Sequence, residues 1–547
     1  MAHGQVYEGF FVSALSPNAD FSGALVFADQ ARALDAEAQA QWGLNPFALV
    51  EAAGRACAEV FSRWHGKKCL SVAVLTGKGN NAADSLVMLK ALILNGFAVA
   101  SDCSVFAAYS SNDNTPLSSI MLAVRKLGVQ VLEWDRETAA AVFAKAGVVI
   151  DGIAGTGVSC PLRGAALEMA ETVNAASRGK NSPLVVSIDV PSGNFNGWKP
   201  GMPIVQAHAT LSIEPHKISL YAPAARPYSG TILPVGGIFP SALIEQYREA
   251  ELIEWGISSA RVLPVSKTAY KYERGVVEIR AGSSGAAGAA MLAARGAQSA
   301  GAGMVRLVVD NELYPVIASN CLGIMVAPDK LGMRNEELAA CNHRSITPHS
   351  VLLGPGWGRG EDRMRILESY LPLEENGTPL ILDADAIALA KGLVFHGNTI
   401  ITPHPGEFAA YTGIPKDEIL ADPIPALRRF SVEKNIHILF KSHVLYIASP
   451  DCRLGVIDGM NPVLGAGGSG DVLAGFCASI AARWRSSAVC NEQPSFDGYA
   501  CACAAASLLV RSAQGFSGAF VDPGEFAKAA AAVAGNAWLG GGTVYGR

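Results

Sequence analysis

A glycine-rich run, Asn461-Pro462-Val463-Leu464-Gly465-Ala466-Gly467-Gly468-Ser469-Gly470-Asp471, leads straight into an apolar segment that ends near Arg483. Val472, Leu473, Phe476, Cys477, Ile480 and Ala481 recur at helical spacing, so the spacing predicts a helix with glycines at its entrance. Free backbone N–H groups and the positive end of the helix dipole make such an entrance an anion site, and glycine lets a phosphate approach the backbone closely. Asp471 does not suit a simple cradle. A carboxylate there repels the anion unless it does chemistry, such as taking a proton from a hydroxyl that attacks phosphorus. The plainer alternative is an acid in the first helical turn that only complements the dipole.

Other polar loops follow apolar runs. In the first half these are Gly77-Lys78-Gly79-Asn80-Asn81-Ala82-Ala83-Asp84, Asp151-Gly152-Ile153-Ala154-Gly155-Thr156-Gly157, and Asp189-Val190-Pro191-Ser192-Gly193. Adjacent asparagines can bond a ribose or phosphate, or give oxygens to a monovalent cation; each loop alone is also ordinary turn chemistry. In the second half the loops are Gly354-Pro355-Gly356-Trp357-Gly358, Asp383-Ala384-Asp385 and Pro403-His404-Pro405-Gly406-Glu407. His404, fixed between two prolines with Glu407 behind it, is a candidate ligand contact. Lys441, ending the run Leu439-Phe440, could meet a nucleotide phosphate.

The elements that must position these loops alternate. Strands are expected at Ser71–Thr76, Phe97–Cys103, Gly147–Gly152, Leu184–Val190 and Ala209–Glu214, with helices near Ala83–Leu94, Leu117–Leu127 and Ala165–Ala176. Two helices over Ala24–Gly66 cover them. Such alternation means a parallel, doubly wound sheet with ligands beyond the carboxyl ends of its strands. Between Phe239 and Pro264 the rhythm lapses into one helix and an irregular joint, which puts a domain boundary near residue 255. The expected domains are residues 1–250 and 258–547. The second opens with a strand, Val276–Ala281, and a small-residue helix, Gly285–Gly301, whose small side chains allow close approach to the sheet or to a ligand, with tightly packed core the plainer alternative.

At 547 residues the chain is too long for one core, and 50% hydrophobic with 17% charged residues suits buried α/β units. A net charge of −5 without a basic block argues against nucleic acid. No apolar run reaches the ~18 residues of a membrane span, and the start lacks a signal-peptide layout, so a cytoplasmic protein is expected. Eleven cysteines without a CxxC pair suit buried thiols in a reducing compartment better than disulfides or a zinc site. The glycine-rich end beyond Leu539 is expected to fray.

TGKGNNAAD, DGIAGTG, SIDVPSG and ATLSIEPHK, in that order, resemble the N-terminal domain of the NAD(P)H-hydrate epimerases, and LVEAAGRA resembles their helix leading into the sheet. The resemblance implies a Rossmann-like domain that binds hydrated nicotinamide dinucleotide through Asn80, Asn81, Ala82, Ala83 and Asp84, and through Gly155, Thr156, Gly157, Val158, Ser159, Cys160 and Pro161. It implies potassium at Asn81, Asp151 and Ser192, and proton handling by Asp189 at the ring carbon that bears the hydroxyl. Ala82, Ala83 and Ser85 stand where the family usually has glycine. If those positions need φ > 0, each alanine costs on the order of 1–2 kcal/mol.

GAAMLAARGAQSAGAGMVRLVV, LLGPGWGRG, LILDADAIAL, ITPHPGEFAAYTG and NPVLGAGGSGDVLAG resemble the ADP/ATP-dependent NAD(P)H-hydrate dehydratases of the ribokinase-like superfamily, over most of residues 270–480. By that resemblance Ala289, Gly358 and His404 contact the hydrated dinucleotide. Lys441, Ser442, His443, Val444 and Leu445, with Gly467, Gly468, Ser469 and Gly470, bind ADP or ATP with magnesium. Asp471 is the base. Tyr270, Ala286 or Ala287, and Ser442-His443 depart from the usual family residues. The expected partners are therefore the hydrate and an adenine nucleotide, in a homo-oligomer without nucleic acid or membrane. The alternative is a ribokinase-like small-molecule kinase whose first domain only binds nucleotide or assembles.

Overall fold

In the computed structural model, residues 23–68, 70–108, 115–179, 182–262, 264–329, 347–491, 496–516 and 520–539 are described. The start, expected to lack a signal-peptide layout, and the end beyond Leu539, expected to fray, lie outside these residues. Contacts divide the chain into two units, Met1–Leu220 with Ala225–Glu249, and Tyr221–Ala224 with Ala250–Arg547.

The first unit carries β1 (Ala24–Val26), β2 (Leu70–Thr76), β3 (Ala98–Ala107), β4 (Gln130–Glu133), β5 (Val148–Gly152), β6 (Leu184–Ile188), β7 (Ala209–Ile213), β8 (His216–Lys217) and β9 (Thr231–Val235). Its main sheet runs β4-β3-β2-β5-β6-β7-β9, and every neighbouring pair is parallel. The chain builds outward from β2 to β4 and then returns to β5 on the other side of β2. That reversal opens a crevice between the β2 and β5 ends, the usual ligand position in such sheets. One face is covered by the helices Pro46–His65 and Asn80–Leu94, through Phe61, Leu86 and Leu89. The other is covered by Phe143, Met169 and Val173. The helix Pro46–His65 starts where Asn45 accepts a hydrogen bond from the Phe47 N–H at 2.8 Å, and stops at Gly66, with φ at +71°.

The second unit carries β10 (Ala250–Leu252), β11 (Val276–Arg280), β12 (Met304–Val309), β13 (Met325–Pro328), β14 (Ser350–Leu353), β15 (Leu380–Leu382), β16 (Thr399–Ile401), β17 (His437–Phe440), β18 (Val444–Ala448) and β19 (Leu454–Asp458). Within this unit the order is β13-β12-β11-β14-β15-β16-β17-β18-β19-β10. It is parallel as far as β17, and β18 is antiparallel to both of its neighbours. Here the reversal lies between β11 and β14. The joint read as irregular holds a strand: Glu251 pairs with Gly455 and Leu252 with Val456, because three residues suffice when a ready edge supplies the partner.

The small-residue helix, Ala287–Ser299, is packed core, lying against the helix Ser469–Asn491. A Cβ on Gly296 would stand 2.4 Å from the Val472 carbonyl oxygen, and one on Gly475 2.1 Å from that of Ala293, so glycine permits this approach. Among the described residues no helix is long and apolar enough to cross a membrane.

Candidate active sites

In the first unit, the loops after β2, β5 and β6 line a cavity of about 800 Å³. Of the residues that the resemblance implicates, Asn80, Asn81, Asp84, Gly155, Thr156, Gly157, Val158, Cys160, Pro161 and Asp189 line it. Ala82 and Ala83 are instead fully buried inside the helix Asn80–Leu94, and Ser159 is exposed outside the cavity wall. The strain considered for the two alanines is absent, since neither they nor Ser85 adopt positive φ. They are ordinary first-turn residues of a helix, where a methyl group is favourable.

Backbone strain appears at Asp189, whose φ is +67° at the end of β6. That conformation turns its carboxylate toward Lys217 at the end of β8, with Nζ 2.5 Å from Oδ1. Both side chains are buried, and Lys217 also donates to the Ile213 carbonyl at 2.9 Å. Lys217 was within a quoted motif but received no role. Its signal was a lysine just past the Pro215 turn that follows an apolar strand.

Asp151 and Ser192 meet directly, with Ser192 Oγ 2.5 Å from Asp151 Oδ1 and Ser192 N 2.9 Å from Oδ2. Ser187 Oγ and the Ile153 N–H also donate to this carboxylate. Burial nevertheless holds Asp151 above the usual carboxylate range. Asn81 differs: both polar atoms of its amide are buried without a hydrogen-bond partner. It lies against Gly155, and the next residue back, Ala154, donates its N–H to Ser192 Oγ at 2.9 Å.

In the second unit, the loop that carries Gly358 meets Ala289 through Gly356 at the sheet reversal. Gly356, at φ +56°, turns the loop after β14 so that a Cβ there would stand 2.7 Å from the Ala286 and 3.1 Å from the Ala289 methyl groups. Asp385 clamps the same loop, accepting from the Gly358 N–H at 2.8 Å and from Arg359 Nε at 2.7 Å. His404 begins the helix Pro405–Thr412 and caps it with its ring: Nδ1 accepts from the Gly406 and Glu407 N–H groups at 3.0 and 3.2 Å. Glu407 closes the box by accepting from the His404 N–H at 2.8 Å. The ring is therefore oriented, with Nε2 3.4 Å from Glu407 Oε1, and its side chain is 57% exposed.

Asp471 lies in the first turn of the helix Ser469–Asn491, as the spacing predicts. Lys441 reaches over that turn, its Nζ 3.3 Å from where a Cβ of Gly470 would be. Lys441 Nζ is bound to Asp383 Oδ1 at 2.6 Å, and Thr402 Oγ1 donates to the same oxygen at 2.7 Å. Burial alone would depress the lysine, but Asp383 and Glu407 hold its pKa above the usual value. Burial first, then the charge of Asp383, pushes Asp471 up to about 6, with Lys441 pulling the other way. Asp383 received no role from the sequence, because an acid ending a strand is also common turn chemistry. Of the remaining nucleotide candidates, Ser442 bonds the Val444 carbonyl, His443 Nε2 lies 2.7 Å from the Pro223 carbonyl, and Val444 and Leu445 are buried in β18. Gly467 has open space where a side chain would be, Gly468 takes φ +101°, and Ser469 Oγ donates to the Leu464 carbonyl.

Fold and sites define an α/β enzyme of two units, each a largely parallel sheet with its candidate residues beyond the strand ends. Residues 46–219 match the family described as YjeF-related protein N-terminus, and residues 277–519 match the family described as NAD(P)H-hydrate dehydratase. A bifunctional NAD(P)H-hydrate repair enzyme of Gloeobacter violaceus is 30% identical over 481 residues, covering 84% of this chain and 89% of that one. Its counterpart in Salinibacter ruber is 28% identical over 469 residues, covering 81% and 85%. A Bacillus subtilis ADP/ATP-dependent NAD(P)H-hydrate dehydratase co-crystallised with ATP/Mg2+ matches at 24% identity and a TM-score of 0.43, over 52% of this chain and 97% of that one. The chain belongs to the bifunctional NAD(P)H-hydrate repair enzymes. Its activities are dehydration and epimerisation of NAD(P)H hydrates.

Proposed function

We propose that the two activities divide at the domains read from the sequence, epimerisation in residues 1–250 and nucleotide-dependent dehydration in residues 258–547. The observation that carries the second assignment is the grouping of Asp471, Lys441 and Asp383 at a glycine-built helix entrance. Hydration of the dihydronicotinamide ring leaves a hydroxyl on the carbon next to the ring nitrogen, and hydroxide leaves poorly at neutral pH. Asp471 accepts the hydroxyl proton as that oxygen attacks the terminal phosphorus of ADP or ATP, while the Gly467–Gly470 amides take up charge on the transferring group. Lys441, held by Asp383, keeps a positive charge beside the phosphates. The ring nitrogen's lone pair then expels phosphate, and loss of a proton from the neighbouring ring carbon restores NAD(P)H. Ala289, Gly358 and His404 hold the hydrate.

Magnesium fits as a companion of the nucleotide. Among the described residues no three His, Cys, Asp or Glu side chains converge as a metal cage, and magnesium commonly rides on substrate phosphates with few protein ligands. Bound there, it supplies neutralising charge on the phosphoryl oxygens. Potassium fits the first site through Asn81, whose buried amide oxygen lacks a partner, with Ser192 and Asp151 bordering the same loop. In that cavity Asp189 handles protons at the ring carbon that bears the hydroxyl.

We further place the enzyme in the cytoplasm as a homo-oligomer. Free cysteines such as Cys57, Cys103 and Cys477 suit a reducing compartment. Sedimentation of the purified chain tests the assembly.

The deciding experiment supplies each purified epimer of hydrated NADPH with ADP or ATP and follows the return of dihydronicotinamide absorbance. Recovery of the S hydrate is expected from the second domain alone, and recovery of the R hydrate only when the first domain works. Recovery of neither would refute the dehydratase assignment.

A further inference from the structure

We propose that Asp84 is a second catalytic residue of the first cavity, an acid that protonates the ring nitrogen while Asp189 takes the hydroxyl proton, so that epimerisation runs by opening and reclosing the ring. The proposal rests on the reading of this cavity as the epimerase site.

Asp84, Asp189 and Lys217 all face the same cavity. Asp189 is engaged by Lys217, whose Nζ lies 2.5 Å from Oδ1. Asp84 is only 9% exposed, and among the described residues its carboxyl receives no hydrogen bond. It caps nothing in its own helix, whose N-cap is Gly79. The Asp84 carboxyl faces the cavity instead of bonding the protein around it, so the fold itself makes no use of it. Burial first, then the charge of Asp189, pushes Asp84 well above the usual carboxylate range, with Lys217 acting in the opposite sense. A carboxyl raised in this way, in the same cavity as one paired with a lysine, provides an acid and a base in one site.

The chemistry requires such a pair. The hydroxyl-bearing carbon is bonded to the ring nitrogen, so its configuration inverts only if a bond at that carbon breaks. When Asp189 removes the hydroxyl proton, the oxygen electrons form a carbonyl and the carbon–nitrogen bond breaks. Its electron pair goes to nitrogen, which takes the proton of Asp84. Rotation about the adjacent carbon–carbon bond turns the other carbonyl face toward nitrogen. Nitrogen then adds back, its proton returns to Asp84, and the proton on Asp189 returns to oxygen. Atoms and electrons balance without any co-reactant, and both carboxyls end as they began.

The test uses the full chain without nucleotide, starting from purified R hydrate and separating the epimers by chromatography. Asp84→Asn is expected to lower kcat by about 100-fold, the scale of general acid catalysis, with KM for the hydrate within about threefold. Turnover of wild type in 18O-water is expected to give S hydrate whose hydroxyl oxygen is unlabelled. A kcat within about threefold of wild type for Asp84→Asn overturns the proposal, as does one solvent oxygen incorporated per turnover, which would mean that the carbon–oxygen bond breaks instead. Should the variant lose hydrate binding in calorimetry, the wild-type oxygen measurement decides by itself. A wild-type chain no faster than the uncatalysed exchange, or an Asp189→Asn variant of full activity, overturns the reading of the cavity and the proposal with it.

Discussion

A carboxylate at a phosphate cradle is useful only if its proton affinity suits its task, and the surroundings of Asp471 supply that match. Held at about 6 by burial and Asp383, it is ionised at neutral pH yet basic enough to receive a proton. A base must be deprotonated to act, so kcat/KM for dehydration should rise with pH through about 6 and then level, as read from initial rates across a pH series. Lys441 lowers the Asp471 value, so Lys441→Gln should move that limb to higher pH, and an unmoved limb would remove Lys441 from the assignment. Asp471→Asn should reduce dehydration by about a thousandfold while calorimetry finds nucleotide affinity within about threefold. The sequence made Asp471 a candidate by its type and place. The tertiary neighbours that set its affinity, Asp383 and Lys441, are 88 and 30 positions away in the chain (471 − 383 and 471 − 441), and no local pattern joins them.

At the scale of elements, glycines serve two separate ends on one helix. Gly475 lets the helix Ser469–Asn491 touch the helix Ala287–Ser299, and Gly467 just ahead of it keeps the anion approach open. Gly475→Ala should therefore cost on the order of 3 kcal/mol in denaturant unfolding, because its methyl meets a backbone oxygen that cannot step aside. Gly467→Ala has free space, so stability should stay within about 0.5 kcal/mol while nucleotide binding weakens. The asparagine loop is the reverse case. Its sequence leaves open whether Ala82 and Ala83 are strained replacements for glycine, and their helical backbone removes that strain. The double change Ala82→Gly, Ala83→Gly should not raise epimerisation and should lower stability by about 0.5–1 kcal/mol per site, measured by exchange between epimers and by denaturation.

Across the whole molecule, each unit has its own core and its own reversal of strand order, so each can hold a complete site. Asp189→Asn should leave dehydration of the S hydrate intact and abolish recovery of the R hydrate beyond the uncatalysed exchange, as absorbance traces for the two epimers would show. The sequence by itself determined the doubly wound class, the loops at strand ends and the acid at the helix entrance, because hydrophobic periodicity and glycine placement are local properties. It missed the short strands β8 and β10, which form only beside a waiting edge. It also missed the roles of Lys217 and Asp383. A charged side chain acquires its partner only when separate strand ends are folded together, and tertiary structure alone decided that Lys217 meets Asp189 and that Asp383 holds Lys441 over Asp471.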